Sequence, residues 1–192
     1  MLHNTQTPSN WLSRFAPWVP AGATLLDVAC GHGRHATFFA RRGAMVTAVD
    51  RDEAALDWLR AVANVTSDCL DLESGSWPYA PASFDAVLVC NYLWRPTFNE
   101  LLATVKPGGL LLYETFMDGN EQFGKPSRPD FLLRSNELLA RTRDQFEVIA
   151  FEQGPEFETA PFEADSTSAN VAKDSRVTVE AVKQKIIARK LG

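Results

Sequence analysis

Residues 25–36 read "LLDVACGHGRHA". A short apolar run carries one aspartate, Asp27, and stops at Gly31 and Gly33 before the spacing of apolar residues changes. The run over 24–29, bounded by glycine, predicts a buried strand. Residues 34–43 predict a helix, with Gly43 as its C-terminal stop. A strand that passes through glycines straight into a helix is a place where a bound nucleotide fits. Glycines let the backbone approach a ligand without a Cβ in the way, and the helix start offers free N–H groups at its positive end.

The same alternation continues outward. Residues 44–50 predict a strand, and Asp52 caps a helix over 53–63 with Ala55, Leu56, Leu59 and Val62 on one face. A weaker strand lies at 65–69 and a strong one at 84–91. A helix over 98–105 ends at Lys106-Pro107-Gly108-Gly109, and a strand follows at 110–116. Ser135 is placed to cap a helix over 136–143, before a strand at 146–152 and a last one within 177–190. This pattern predicts an α/β fold, Rossmann-like and doubly wound, with a mostly parallel seven-stranded sheet and helices on both faces. No helix pattern separates the last two strands, so the C-terminal strand should be antiparallel. Residues 152–165 hold five acids and no Lys or Arg, and read as a solvated loop over about 153–175.

Length and composition set the outer limits. A chain of 192 residues suits one domain over 1–192. The net charge of −5 gives no basic footprint for nucleic acid. No apolar run approaches the ~20 residues of a membrane helix. "MLHNTQTPSNW" has neither the basic start nor the apolar core of a signal peptide, so a cytoplasmic location is expected. Cys30, Cys69 and Cys90 are odd in number and widely spaced, which fits neither a disulfide framework nor a metal site.

In an open parallel sheet, ligands bind at the carboxyl ends of the strands. Those ends carry Asp27, Asp50, Asp71, Asn91 and Glu114, at spacings of 23, 21, 20 and 23 residues. Such regularity is the length of one strand-plus-helix unit and should bring all five to one rim. Asp50 lies 19 residues after Gly31, close to the ~20 expected of an acid that holds a ribose. Asp27 suits a cationic ligand and would be unwelcome beside a pyrophosphate.

"LLDVACGHGRHA", "VTAVD", "LDLE", "FDAVLVCN" and "VKPGGLLLYETF" fall in the order and spacing of class I S-adenosylmethionine-dependent methyltransferases, which the chain resembles over roughly residues 9–152. Within that family it is most similar to the small tellurite-resistance-like enzymes, a similarity that "YETFMDGNEQFGKPSRPDFLL" strengthens. The resemblance implies S-adenosylmethionine as methyl donor. It places Asp27, Ala29, Gly31 and Gly33 along the methionine part, Asp50 at the ribose and Arg51 beside the adenine. Asp71 and Leu72 then meet the adenine edge, and Asn91 lies near the sulfonium. Two other readings share the fold: a nicotinamide-dependent oxidoreductase, which would keep the glycines and Asp50, and a non-catalytic binder.

The acceptor is less legible. Asn91-Tyr92-Leu93-Trp94 lacks the Pro-Pro-Tyr run of many amide and base methyltransferases, so a small-molecule acceptor is expected and nucleic acid is not. A hard hydroxyl acceptor needs a base, for which Tyr113 and Glu114 are the candidates. The absence of an evident base arrangement favours a soft or pre-ionised nucleophile, a thiol or a metalloid oxyanion. Residues 117–131, rich in Gly and Pro yet holding Phe123 and Phe131, are expected to fold over the acceptor as a lid, with Trp94 and Arg95 as the opposite wall. His32 and His35 are expected to pack or hydrogen-bond near the cofactor. Trp11, Phe15 and Trp18 cover either the donor pocket or the core. The sequence leaves the oligomeric state open.

Overall fold

The computed structural model describes residues 7–157 and 178–192. One seven-stranded sheet organises them, in the order β3-β2-β1-β4-β5-β7-β6. The strands are β1 (Thr24–Val28), β2 (Met45–Asp50), β3 (Val65–Cys69), β4 (Phe84–Cys90), β5 (Val105–Phe116), β6 (Phe146–Phe157) and β7 (Val179–Lys190). Neighbours among β1 to β5 pair in parallel, and β7 runs antiparallel to both β5 and β6. The expected mixed sheet with an antiparallel C-terminal strand is thus the observed one. The chain winds from β1 out to β3 and crosses back to β4, so the direction of winding reverses between β1 and β4. That reversal is where an open α/β sheet leaves a crevice.

Strand alternation divides the core into two layers. Leu25, Leu110, Leu112 and Ile187 face one layer with α1 (Asn10–Arg14) and α2 (Arg34–Arg41). Leu26, Leu111, Tyr113 and Ile186 face the other with α4 (Phe98–Thr104) and α5 (Glu137–Thr142). By the same alternation Asp27, Glu114, Lys183 and Lys185 belong to the α1–α2 face.

Several local expectations are corrected. The helix expected over 53–63 is α3 (Glu53–Leu56), capped by Asp52 as expected, followed by a 3-10 turn over Asp57–Ala61. Tighter winding stacks residues three apart, and it puts Leu56 and Leu59 together in the core. Lys106–Gly109 belongs to β5 as a bulge, where the pairing jumps from Phe84↔Val105 to Ala86↔Leu110. Ser135 does not cap α5. Asn136, in the left-handed conformation, precedes the helix, and Ser135 Oγ instead accepts from Gln153 Nε2 at 3.3 Å. Strand β6 runs on to Phe157, so the first part of the expected loop is strand, because β7 continues to pair with it as far as Phe157↔Val179. The rest of that loop, 158–175, lies outside the described residues. Helix α1 was not foreseen; Ser9 starts it, its Oγ accepting from Leu12 N at 3.3 Å. Among the described residues no helix is long and apolar enough to cross a membrane.

Candidate active site

Between β1 and α2 the backbone takes three left-handed steps, at Ala29 (φ 52°), Gly31 (φ 54°) and Gly33 (φ 68°). The two glycines serve different ends. A Cβ on Gly31 would project into open space, whereas one on Gly33 would lie 2.5 Å from Leu59 Cδ1. Gly33 therefore lets α2 and the Leu59 turn close up, and Gly31 leaves a cradle. Asp50, at the end of β2, holds the loop in this form: its Oδ2 accepts from Gly31 N at 2.7 Å and its Oδ1 from Asp52 N at 3.0 Å. A carboxylate offers about four acceptor positions, so two remain for a ligand.

Beside this loop lies a cavity of about 260 Å³, whose lining includes Ala29, Asp50, Arg51, Asp71, Leu72 and Tyr92. Five residues of the expected cofactor set are thus gathered around one space. Asp71 Oδ1 accepts from Glu73 N at 2.9 Å, which shapes the turn after β3. Asp27 lies behind the loop, 1% exposed, and its Oδ2 has no hydrogen-bond partner. Burial pushes its carboxyl up to about 7, against the smaller opposing effects of the Ala36 backbone N–H and Arg34. Asn91 ends β4 with φ 58°, an uncommon conformation for a side-chain-bearing residue. Its Oδ1 and the Tyr92 hydroxyl are also buried without partners.

Asn91 borders two further cavities. The larger, about 640 Å³, lies between residues 7–14 and the ends of β5, β7 and β6. Its wall is charged. Lys183 Nζ sits 2.8 Å from Glu114 Oε1 and 3.4 Å from Glu156 Oε2, and Lys185 Nζ sits 2.5 Å from Glu156 Oε1. The smaller, about 280 Å³, is lined by Asn91, Tyr92, Leu93 and Phe116 together with Pro126 and Phe131 of the 117–131 segment.

The remaining candidates are placed as follows. Tyr113 is fully buried in the opposite layer, and its hydroxyl donates to Tyr92 O at 2.9 Å. Burial raises its phenol well above the ordinary value. Glu114 is 2% exposed. Its Oε2 accepts from Ser9 Oγ at 2.5 Å, and Lys183 holds the carboxyl below the usual range despite burial. Arg95 lines none of these three cavities, against the expectation that it walls the acceptor: its guanidinium is spent on Glu137 (2.9 and 2.8 Å), Asp130 O (2.8 Å) and Leu132 O (2.7 Å). Phe123 is 48% exposed. Trp94 is half-buried before a short 3-10 turn. His35 is buried, and its Nε2 accepts from Ser9 N at 3.1 Å, while His32 is exposed. Trp11 and Phe15 join the core, and Trp18 is exposed. The three cysteines are free thiols.

A family model described as a methyltransferase domain matches residues 25–109, the span from β1 to the β5 bulge. The chain carries a class I methyltransferase domain. It is 35% identical over 105 residues to a malonyl-[acyl-carrier protein] O-methyltransferase of Erwinia pyrifoliae, covering 50% of this chain and 38% of that protein. It is 32% identical over 138 residues to a fatty-acid O-methyltransferase of Mycolicibacterium smegmatis, covering 67% and 49%. The chain spans less than half the length of the curated relatives it matches. In fold it is similar to TehB from Haemophilus influenzae, with a TM-score of 0.69 at 18% identity over 98% of this chain and 64% of that one.

Methyltransferases of this fold use S-adenosylmethionine, and the residues of the first cavity and of the loop beside it fit it. Asp50 in the cavity lining has acceptor capacity left, and next to that lining the Gly31 cradle is open and the buried Asp27 carboxyl keeps one oxygen unpaired for a cationic ligand. Sequence reading missed Tyr92 and Glu73 in the lining, and missed Ser9 and Lys183 beside the second cavity. One signal was present: in "AVKQKII" the lysines share the phase of Ile187 and so sit on a strand whose two faces both carry isoleucine.

Proposed function

We propose that this methyltransferase domain transfers a methyl group from S-adenosylmethionine to a small-molecule acceptor, and that the acceptor is a soft or pre-ionised nucleophile such as a thiol or a metalloid oxyanion. The observation that carries the first part is the unpaired Oδ2 of the buried Asp27 carboxyl behind a glycine loop that Asp50 clamps open. A pyrophosphate would meet repulsion there, whereas an ammonium or sulfonium would complete the pairing.

When bound, S-adenosylmethionine supplies a methyl group already activated by its sulfonium, for in-line displacement. The work left to the chain is placement. Asp27, Ala29, Gly31 and Gly33 would hold the methionine part and Asp50 the ribose hydroxyls. Arg51, Asp71 and Leu72 would bound the adenine, and Asn91 would stand where donor and acceptor meet.

The second part rests on how the candidate bases are spent. Glu114 has one oxygen on Ser9 and the other on Lys183, Tyr113 faces the wrong layer, and the accepting nitrogen of His35 is taken by Ser9 N. With these three candidates spent, a nucleophile that arrives ionised or polarisable needs the least help. Calorimetry with S-adenosylhomocysteine and with NAD tests the donor. Saturable binding of S-adenosylhomocysteine alone is expected, and saturable binding of NAD alone would sink the reading. A screen of thiols, selenite, tellurite and hydroxyl compounds, read as S-adenosylhomocysteine formed, tests the acceptor; a hydroxyl compound turned over fastest would remove the soft-nucleophile part.

A further inference from the structure

Ser9 joins α2 and the end of β5 by hydrogen bonds. Its N–H donates to His35 Nε2 on α2, the helix that starts from the glycine loop. Its Oγ–H donates to Glu114 Oε2 at the end of β5, and its Oγ also accepts from Leu12 N, the first turn of α1. His35, Glu114 and Lys183 are 3%, 2% and 8% exposed, so the hydroxyl ties into a buried polar chain. Burial lowers the His35 imidazole to about 3, which keeps it the neutral acceptor that the Ser9 N–H requires. Glu114 and His35 are far from Ser9 in sequence, at separations of 105 and 26 residues.

This junction fixes residues 7–11, and those residues form one wall of the 640 Å³ cavity that Asn91 and Glu114 border. None of them lines the 260 Å³ donor cavity. The wall opposite carries Glu114, Glu156, Lys183 and Lys185. Arg14, Glu152 and Glu156, which also line the cavity, keep 69%, 50% and 28% of their side chains in water, and a long alkyl chain laid there would strip that hydration without replacing it, which is costly. Trp11, in the near wall, has a buried indole N–H with no partner, an unspent donor beside the cavity.

We propose that this cavity takes the methyl acceptor, that the acceptor is a small polar molecule rather than an acyl chain, and that Ser9 is the positioning residue that fixes the near wall. The inference rests on the methyl-transfer reading above. Ser9 lies in the wall of this cavity and outside the donor cavity, and its hydroxyl is spent on Glu114 and its N–H on His35, so it positions the wall through those two residues. Loss of its hydroxyl leaves the backbone bond to His35 in place and frees one oxygen of Glu114, so the wall loosens while the donor loop keeps its clamps at Asp50.

The test compares wild type with Ser9→Ala and Ser9→Thr. Hydrogen exchange over 8–15 is expected to rise about tenfold in Ser9→Ala with exchange in β1 to β4 unchanged, and Ser9→Thr is expected to restore it. Binding of S-adenosylhomocysteine should stay within twofold in all three. With cysteine, 2-mercaptoethanol and 1-octanethiol as acceptors, kcat/KM should be higher for the two polar thiols, and Ser9→Ala should raise their KM about tenfold more than it lowers kcat. Unchanged exchange, a donor affinity that falls in step with KM, or a preference for octanethiol overturns the proposal, as does transfer to neither polar thiol. Wild type that binds no S-adenosylhomocysteine would instead remove the methyl-transfer reading, and the exchange result separates the two failures.

Discussion

Asp27 and Glu114 are carboxylates on the same face of the sheet, at the same rim, 1% and 2% exposed. Asp27 keeps an oxygen without a partner, and burial raises its carboxyl to about 7. Glu114 has Ser9 on one oxygen and Lys183 on the other, and its carboxyl is held below the ordinary range. The same chemical group at the same depth is thus left unfinished at one end of the rim and completed at the other. A buried polar atom without a partner costs free energy in the folded protein, and its place beside an open cradle is what the proposed donor site would use. A satisfied pair marks scaffold, which holds a wall and is not available for chemistry.

The largest break in this comparison should come from the finished side. Lys183→Ala leaves the Glu114 carboxylate buried with Ser9 and the weak Cys90 thiol donor but without its ion-pair partner, and removing one partner of a buried pair costs about 3–5 kcal/mol. Chemical denaturation should show that loss. The paired change Lys183→Met with Glu114→Gln should recover most of it, since no charge is then stranded. If the single and paired variants are equally unstable, Glu114 and Lys183 do not behave as a unit.

On the unfinished side the sign reverses. The Asp27 carboxyl titrates near 7 in the folded chain against an ordinary value of 3.8. Between those values the folded protein keeps a proton that the unfolded chain has released. Stability from this group is therefore full below about pH 4, falls as pH rises to about 7, and stays reduced above it, by about 4 kcal/mol for a shift of about three units. Asp27→Asn should flatten that fall and raise Tm at pH 8, while weakening S-adenosylhomocysteine at least tenfold. Wild-type affinity should also increase as pH rises through about 7, with proton release on binding below it, which calorimetry in two buffers of different ionisation enthalpy measures. A pH-independent affinity would show that the ligand does not meet Asp27. Asp50→Ala should be at least as severe for the donor, since it removes the bonds that hold the glycine loop as well as the charge-assisted hydrogen bonds to the ribose, whose loss alone costs about 1.5–3 kcal/mol of donor affinity.

The donor side was legible because its determinants are local. "LLDVACGHG" contains the strand, the acid and both glycines within a few residues, and the regular spacing of Asp27, Asp50, Asp71 and Asn91 follows from the length of one strand-plus-helix unit. Strand alternation then placed the core, as Leu25 and Leu26 show by facing opposite layers. The acceptor side depends on pairs that no local pattern announces: Lys183 and Glu114 are 69 residues apart, Ser9 and Glu114 are 105 apart. Propensity also misleads where pairing wins, as in 153–157, whose Gly, Pro and acids read as loop yet continue β6 against β7. The left-handed turns at Ala29 and Asn91 are unreadable for the same reason, since neither residue type favours them as glycine would.

The smallest effect belongs to the 117–131 segment, where the comparison can be sharpened rather than broken. Its two ends are finished in the manner of Glu114. Met117 bridges Leu133, and Asn120 joins Pro126 O and Val182 N. Arg95 staples Asp130 O and Leu132 O. Residues 121–125 are exposed, Phe123 among them, while Pro126 and Phe131 already line the small cavity beside Asn91. Any closure is therefore confined to 121–128, a short flap on fixed ends over the small cavity beside Asn91, which meets the 640 Å³ cavity at Asn91 and Phe116. An exposed phenylalanine contributes little to folding, so Phe123→Ala should change stability by no more than about 0.5 kcal/mol. If the flap closes, the same variant should lower turnover about threefold with donor affinity unchanged, and hydrogen exchange over 121–128 should slow only when S-adenosylhomocysteine and an acceptor are bound together. Equal exchange in every ligand state, with normal turnover in Phe123→Ala, would make the segment a fixed connector and leave Asn91, Pro126 and Phe131 as a permanent wall.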